Sequence, residues 1–169
     1  MNTQKQLDLL IEAFEGGVFG LRRVYERGWG RNGDGDTGDA KVDLPRRRDD
    51  SITADVSLLA ERIERNDALL KEMTTNLALG FLGISYELVK ESREYDERLS
   101  QKPEVQFLRW CRNAALHGNR FAFEPGKPDK PARWDGYEIS QYLQGQRLIP
   151  EFIEIGDAVC LVEDVRDLL

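Results

Sequence analysis

The sequence predicts a mainly α-helical fold: a helical bundle over residues 1–120, then a small strand-containing extension over residues 121–169 of the same domain. Apolar residues recur at intervals of three and four through most of the first 120 positions, which is the pattern of helices with one buried face. A segment rich in glycine and aspartate interrupts that pattern around residues 30–50. Beyond residue 120, prolines, glycines and isolated aromatic residues indicate short strands before a final helix.

The first helix is expected to run from about Thr3 to Trp29. Its apolar positions form a stripe along one side of a helix: Leu7, Leu10, Ile11, Phe14, Val18, Leu21, Val24 and Tyr25. Gly16, Gly17 and Gly20 fall inside this stripe and lower its helix propensity. They indicate either the close approach of another helix or a break.

The interrupting segment, residues 28–50, is expected to form a loop because it contains many turn-forming residues and almost no apolar ones. Four oxygen-bearing residues stand at the first, third, fifth and twelfth positions of a calcium-binding loop: Asn32, Asp34, Asp36 and Asp43. The pattern lacks the glycine at the sixth position, where Thr37 stands, and the glutamate at the twelfth. We therefore favour an acidic flexible loop over a calcium site.

The longest helical pattern runs from about Ile52 to Leu99. Its apolar stripe consists of Val56, Leu59, Ile63, Leu70, Met73, Leu77, Phe81, Ile84, Leu88, Tyr95 and Leu99. Asn66 is its polar interruption. The segment could be one very long helix or two helices broken near Gly80 and Gly83. Either form could line the core of a bundle or the seam of a dimer.

The next helix is expected from about Lys102 to His117. Pro103 suits its first turn, Ser100 is a candidate cap, and Gly118 marks its end. Short strands are expected in the tail at residues 121–124, 132–140 and 146–149, and a last helix at 157–169.

The net charge of the chain and its distribution limit the classes of partner that the protein can bind. The chain of 169 residues carries 24 Lys and Arg against 31 Asp and Glu, a formal net charge of −7. An acidic chain does not attract nucleic acid through its overall field, so a nucleic-acid site must be a local patch. Between Gln101 and Trp134, seven basic residues against three acidic ones give a local charge of +4, which suits a phosphate backbone. The alternative is that these basic residues pair with acids on neighbouring helices.

The sequence indicates no metal, cofactor or membrane. Cys111 and Cys160 lie far apart without Cys-x-x-Cys partners, so we expect buried thiols and neither a zinc site nor a disulfide framework. The first residues, Met1–Gln6, lack the basic start and apolar block of a signal peptide. No apolar stretch approaches the roughly 20 residues of a membrane span. We therefore expect a cytoplasmic protein.

The most chemically informative segment is the end of the helix at 102–117. His117 is the only histidine of the chain, and a histidine titrates near neutral pH. Arg109, Arg112 and Asn113 precede it, and Arg120 follows. Arginine carries a permanent charge on a planar group that suits phosphate. Such a set can bind or cut a phosphodiester without a metal.

Helix geometry divides these residues between two faces. Arg109, Asn113 and His117 follow at intervals of four and form one polar stripe. Arg112 and His117 are five apart, about 140° around a helix. They would therefore share a substrate if the helix loosens at Gly118, or if two copies of it meet across a dimer axis. The alternative is that His117 only stabilises the carbonyl end of the helix.

Arg112, Asn113 and His117 resemble the motif of the HEPN-domain family, in which four to six residues separate an arginine from a histidine and a polar residue often follows the arginine. The similarity covers roughly Thr3 to Asn119 and implies an all-α bundle with two long core helices. The segments 109–123, 134–136 and 156–157 also resemble uncharacterised archaeal and bacterial HEPN-like proteins.

The resemblance implies a metal-independent endoribonuclease that acts on RNA as a homodimer, in defence or stress response. It implies that Arg112 holds the scissile phosphate, that His117 is the general acid and base, and that Asn113 orients His117 or the phosphate. The 2′-hydroxyl of the RNA would be the nucleophile and leave a cyclic phosphate. Three neighbours are candidate accessory contacts to the substrate, on position rather than on the motif: Arg109, Asn119 and Arg120.

One position departs from the toxin branch of that family. There, a tyrosine two residues after the histidine can be modified by a nucleotidyltransferase antitoxin, whereas here that position is Asn119. We therefore do not expect neutralisation by that route. Two alternatives to the ribonuclease stay open: a non-catalytic module that binds a nucleotide, RNA or a protein through the same patch, and a purely structural dimer.

Overall fold

The computed structural model describes residues 2–27, 41–45, 51–55, 62–63 and 66–169. These residues form four helices, two short antiparallel hairpins and two turns of 3-10 helix. The helices are α1 (Thr3–Arg27), α2 (Asp67–Lys90), α3 (Pro103–Leu116) and α4 (Ile155–Arg166), and the strands are β1 (Lys41–Pro45), β2 (Ser51–Asp55), β3 (Arg133–Trp134) and β4 (Tyr137–Glu138). The prediction of a mainly helical fold is confirmed for this part of the chain.

The chain divides into two compact units, one formed by Met1–Glu15 with Thr75–Leu169 and the other by Gly16–Thr74. In the second unit β1 pairs with β2 in antiparallel register, from Lys41 opposite Asp55 to Pro45 opposite Ser51. The predictions of a loop at 41–45 and of a helix at 52–55 were therefore wrong. Both segments alternate polar and apolar residues, and this two-residue period favours strands.

The calcium-type spacing lies almost entirely outside the described residues. Four of its positions lie between the described residues 2–27 and 41–45: Asn32, Asp34, Asp36 and Thr37. The fifth, Asp43, belongs to β1. The flexible loop expected at residues 30–50 is likewise outside it, apart from β1.

The second helix is shorter than the predicted pattern at both ends. The side-chain oxygen of Asn66 accepts a hydrogen bond from the backbone N–H of Leu69 at 3.1 Å, so this polar interruption is the cap at which α2 begins. The helix continues through Gly80 and Gly83, so the alternative of two helices broken near these glycines is wrong. Nor does α1 break at its glycines: it extends from Thr3 to Arg27, close to the predicted bounds.

The core of the first unit is built from the buried faces of its helices. Phe14 of α1 stacks on Phe81 of α2 with 4.5 Å between the ring centroids. The fully buried aliphatic residues include Leu7, Leu82, Val89, Val105, Leu108, Leu161, Val162 and Val165. Burial of each such side chain contributes about 1.5–3 kcal/mol.

The C-terminal extension packs its aromatic residues on α3. The ring of Phe107 lies 5.8 Å from that of Trp134 and 5.9 Å from that of Phe152. The hairpin β3–β4 falls inside the predicted strand region at 132–140. The strands predicted at 121–124 and 146–149 do not form, because only one bridge, between Arg120 and Arg147, joins these segments. None of the helices that the structure describes combines the length and apolar character needed to cross a bilayer.

Candidate functional site

The motif residues Arg112, Asn113 and His117 lie at the C-terminal end of helix α3. Pro103 occupies the first turn and Lys102 precedes it, so the helix begins where the sequence predicts. At the other end the backbone N–H of His117 donates to the carbonyl oxygens of Asn113 and Ala114. Gly118 follows with φ of 68°, the left-handed conformation that glycine adopts without strain, so it ends the helix as predicted.

The imidazole of His117 is exposed at this helix end. Across the described residues, no side-chain hydrogen bond or ion pair engages the ring. The cap of the helix is the backbone N–H of this residue rather than its side chain. The ring is therefore accessible to a substrate or a second protein molecule.

Arg112 points towards the neighbouring helix α2. Its Nη2 donates to Oε1 of Glu87 at 2.5 Å, and its Nη1 donates to Oδ1 of Asn113 at 3.3 Å. The side chain of Arg112 is 30% exposed and that of Glu87 is 38% exposed. Lys90 lies on the other side of Glu87, with 3.8 Å between Nζ and Oε2.

The structure thus joins the side chains of Arg112 and Asn113 by a hydrogen bond. No hydrogen bond or ion pair in the described part of the chain joins either side chain to the ring of His117. This agrees with the five-residue spacing, which sets Arg112 and His117 about 140° apart around a helix. Glu87 is the residue that sequence reasoning missed: no local signal marks one glutamate of α2 as the partner of an arginine 25 positions later.

Arg109 lies three residues before Arg112 on α3 but makes different contacts. Its Nη1 donates to Oε1 of Gln106 at 3.4 Å, and its guanidinium carbon lies 5.7 Å from the centroid of the Trp110 ring. A hydrogen bond from Lys127 lowers the pKa of Asp129, and the positive charge of Arg109 acts in the same direction. The contacts of Arg109 are therefore separate from the Arg112–Glu87 pair.

Asn119 and Arg120 bind the C-terminal extension in this structure. The side-chain amide of Asn119 donates to the carbonyl of Ile149 at 2.6 Å and accepts from its N–H at 3.0 Å. Nη1 of Arg120 donates to the carbonyl of Gly145 at 2.6 Å, although the side chain is exposed. Their role as accessory contacts to a substrate stays a prediction.

An apolar groove lies beside the Arg112–Glu87 pair. It has a volume of about 480 Å³ and is lined by Leu79, Gly80, Gly83, Ile84, Glu87, Leu88, Glu91, Arg112, Ala115 and Leu116. Ile84 is 53% exposed and Leu116 is 63% exposed, which is high for large aliphatic side chains. Part of the stripe that the sequence assigned to a core or a seam is therefore on the surface.

Comparisons of the chain with protein-family models, with curated proteins and with solved structures found no match. The candidate site therefore depends on its own geometry. Within the residues that the structure covers, no group of three His, Cys, Asp or Glu side chains is placed to hold a metal ion. The chemistry available at the site is that of one exposed imidazole and one partly exposed guanidinium. The guanidinium has five N–H donors, of which two are engaged.

Proposed function

We propose that the protein is a metal-independent endoribonuclease of the HEPN type, with a composite site at the interface of a homodimer. The observation that carries this proposal is the end of α3. It presents the exposed ring of His117 five residues beyond Arg112, whose guanidinium keeps three N–H donors for a phosphate. A histidine and an arginine provide proton transfer and charge stabilisation, which are the two needs of phosphodiester cleavage.

In the proposed reaction, His117 accepts the proton of the 2′-hydroxyl. The 2′-oxygen then attacks the adjacent phosphorus, and the bond to the 5′-oxygen breaks. A protonated imidazole, from His117 of either copy, returns a proton to the leaving 5′-oxygen. Arg112 binds the phosphate and stabilises the negative charge of the transition state, and Asn113 holds that guanidinium through the hydrogen bond to Nη1. The products are a 2′,3′-cyclic phosphate and a free 5′-hydroxyl.

The apolar groove supports a second copy of the chain as the partner at this site. Its lining includes two acidic residues, Glu87 and Glu91, and a basic residue, Arg112. A twofold axis places a patch against itself, so a patch with both signs of charge can be complementary to its own copy. Arg112 lines the groove and His117 follows Leu116 directly, so this interface would bring the motifs of two copies near each other.

An RNA-cleavage assay in EDTA tests the proposal with four proteins: wild type, Arg112→Ala, His117→Ala and Arg98→Ala. Arg98 is exposed and precedes the start of α3, a helix about 20 Å long, so its replacement removes the same charge away from the motif. We expect cyclic-phosphate ends from wild type and Arg98→Ala. Losses of about 10²–10⁴ are expected for His117→Ala and of about 10²–10³ for Arg112→Ala. Full cleavage by either motif variant, or no cleavage by folded dimeric wild type, would contradict the proposal.

The second candidate function is a non-catalytic module that binds a nucleotide, RNA or a protein. The ion pair with Glu87 favours it over catalysis, because a carboxylate offsets the charge by which Arg112 would stabilise a transition state, whereas binding can also use the other basic residues between Gln101 and Trp134. This module would bind RNA with an affinity that falls steeply with salt concentration, and RNA would stay intact. Fluorescence anisotropy with a labelled RNA, followed by electrophoresis of the same sample, separates the two candidates.

A further inference from the structure

Glu87 reaches the motif arginine from a different helix. Its Oε1 accepts a hydrogen bond from Nη2 of Arg112, while Asn113 accepts one from Nη1. The guanidinium is therefore held at two of its nitrogens by two separate segments. Nε and the remaining hydrogens of the two terminal nitrogens provide three further donors for a phosphate.

A role in stability alone does not account well for this pair. A partly exposed ion pair contributes little to folding, and it requires two long side chains to be ordered. The protein contains a comparable pair in the hairpin, where Nη2 of Arg133 lies 3.0 Å from Oε1 of Glu138. That pair is more exposed on both sides, at 64% and 57%, and it is remote from the motif in sequence.

We propose that Glu87 is a positioning residue for Arg112. Its carboxylate fixes the plane of the guanidinium so that the remaining N–H donors face the scissile phosphate. This inference rests on the proposed ribonuclease and extends its site to a residue of α2. Orientation matters because a misplacement of about 1 Å in a catalytic group can reduce a rate by about 10²-fold.

The charge of Glu87 gives the proposal a distinctive kinetic signature. A carboxylate next to a phosphate site repels RNA, so its removal should leave binding unchanged or make it tighter. The same removal frees the guanidinium to rotate, so the rate of the chemical step should fall. A variant with impaired folding would instead lose active protein and would not bind RNA more tightly.

The first test measures kcat and KM for the full chain and three variants: Glu87→Ala, Glu87→Gln and Glu138→Ala. For Glu87→Ala we expect kcat to fall about 10- to 100-fold and KM to stay the same or fall. Glu87→Gln keeps an oxygen that accepts the hydrogen bond, so its kcat should stay within about threefold of wild type. Glu138→Ala removes a carboxylate from the matched pair in the hairpin and should behave as wild type. A Glu87→Ala variant that cleaves as fast as wild type or faster would overturn the proposal, as would equal losses in Glu87→Ala and Glu87→Gln.

The second test measures the guanidinium directly and needs no cleavage. In ¹⁵N-labelled full-length protein, the Nε–H signal of Arg112 is the one that disappears in Arg112→Lys. We expect Glu87→Ala, but not Glu138→Ala, to speed its exchange with water at least severalfold. An active wild type whose Arg112 signal is insensitive to Glu87 overturns the positioning role alone. If the wild type does not cleave RNA but its Arg112 signal responds to Glu87→Ala, the proposed ribonuclease activity is overturned. The pair then has no catalytic role.

Discussion

Asn119 and Ile149 are joined by two hydrogen bonds that run in opposite directions, from the side-chain amide of one residue to the backbone of the other. The amide nitrogen of Asn119 donates to the carbonyl of Ile149 at 2.6 Å, and its oxygen accepts from the N–H at 3.0 Å. Ile149 is almost fully buried, so its backbone groups have little access to water as a replacement partner. The pair therefore connects the end of the motif helix to the C-terminal extension.

Replacement of Asn119 should destabilise the protein through two separable effects. Asn119→Gly removes both hydrogen bonds and should lower the free energy of unfolding by about 2 kcal/mol. Asn119→Ala should cost about 1 kcal/mol more, because φ at this residue is 64° and a Cβ disfavours that conformation. Urea unfolding of the two variants measures both effects. An alanine variant as stable as the glycine variant would contradict the contribution assigned to the backbone angle.

Leu116→Asp should prevent dimerisation of the protein without unfolding it. The side chain is 63% exposed and lines the apolar groove, so a carboxylate there stays hydrated in a monomer but would be buried against a second copy. Sedimentation equilibrium should show a dimer for wild type and a monomer for Leu116→Asp. Leu9→Asp is the matched control, because Leu9 is 48% exposed on α1 and does not line the groove. A Leu116→Asp protein that still dimerises would exclude this groove as the interface.

The two cysteines should differ strongly in reactivity. Burial raises the pKa of the Cys111 thiol well above its usual range, and the side chain has no solvent exposure. Cys160 is exposed on α4. Because the thiolate is the reactive form, a maleimide should label one thiol of the native protein rapidly and the second only after unfolding. In Cys160→Ser the rapid phase should disappear, and a remaining rapid phase would show that Cys111 becomes accessible in the folded protein.

The helices could be predicted where the apolar residues follow a helical spacing and no competing strand spacing overlaps them. The apolar stripe of α1 and the start and stop signals of α3 are local, so their bounds agree with the structure within about two residues. The strand β2 was missed because five alternating residues are too few to outweigh the helical spacing that follows them. Asn66 could have been recognised as a cap, since an asparagine before an apolar run is a common helix start.

At the site, only the relations between residues that are close in sequence could be predicted. Arg112, Asn113 and His117 lie within six positions, so helix geometry alone relates them. The contacts of Arg112 with Glu87 and of Asn119 with Ile149 join residues 25 and 30 positions apart. Such contacts depend on how segments pack, which periodicity does not specify. The exposure of Ile84 and Leu116 is of the same kind: a stripe indicates which residues share a face but not what covers that face.

Tyr86 should make the protein sensitive to alkaline pH. Burial raises the pKa of its phenol above the usual range, and a hydrogen bond with the hydroxyl of Tyr95, 3.5 Å away, acts in the same direction. The unfolded chain would then lose this proton first, near the ordinary tyrosine value of about 10. The stability that Tyr86 contributes is therefore fully present below about pH 10 and is lost as the pH rises towards the folded-state pKa.

Urea unfolding at about pH 8 and about pH 11 measures this loss, which for one such group amounts to at most about 1.4 kcal/mol per pH unit above 10. Tyr86→Phe cannot ionise, so the difference between the two pH values should be smaller than in wild type. Tyr142→Phe is the control, because Tyr142 is 99% exposed and its hydroxyl meets the same solvent in both states. If Tyr86→Phe loses as much stability as Tyr142→Phe does, the alkaline sensitivity comes from other groups. If the loss of stability is smaller in Tyr86→Phe but not in Tyr142→Phe, the alkaline sensitivity comes from the buried phenol of Tyr86, which contacts Tyr95.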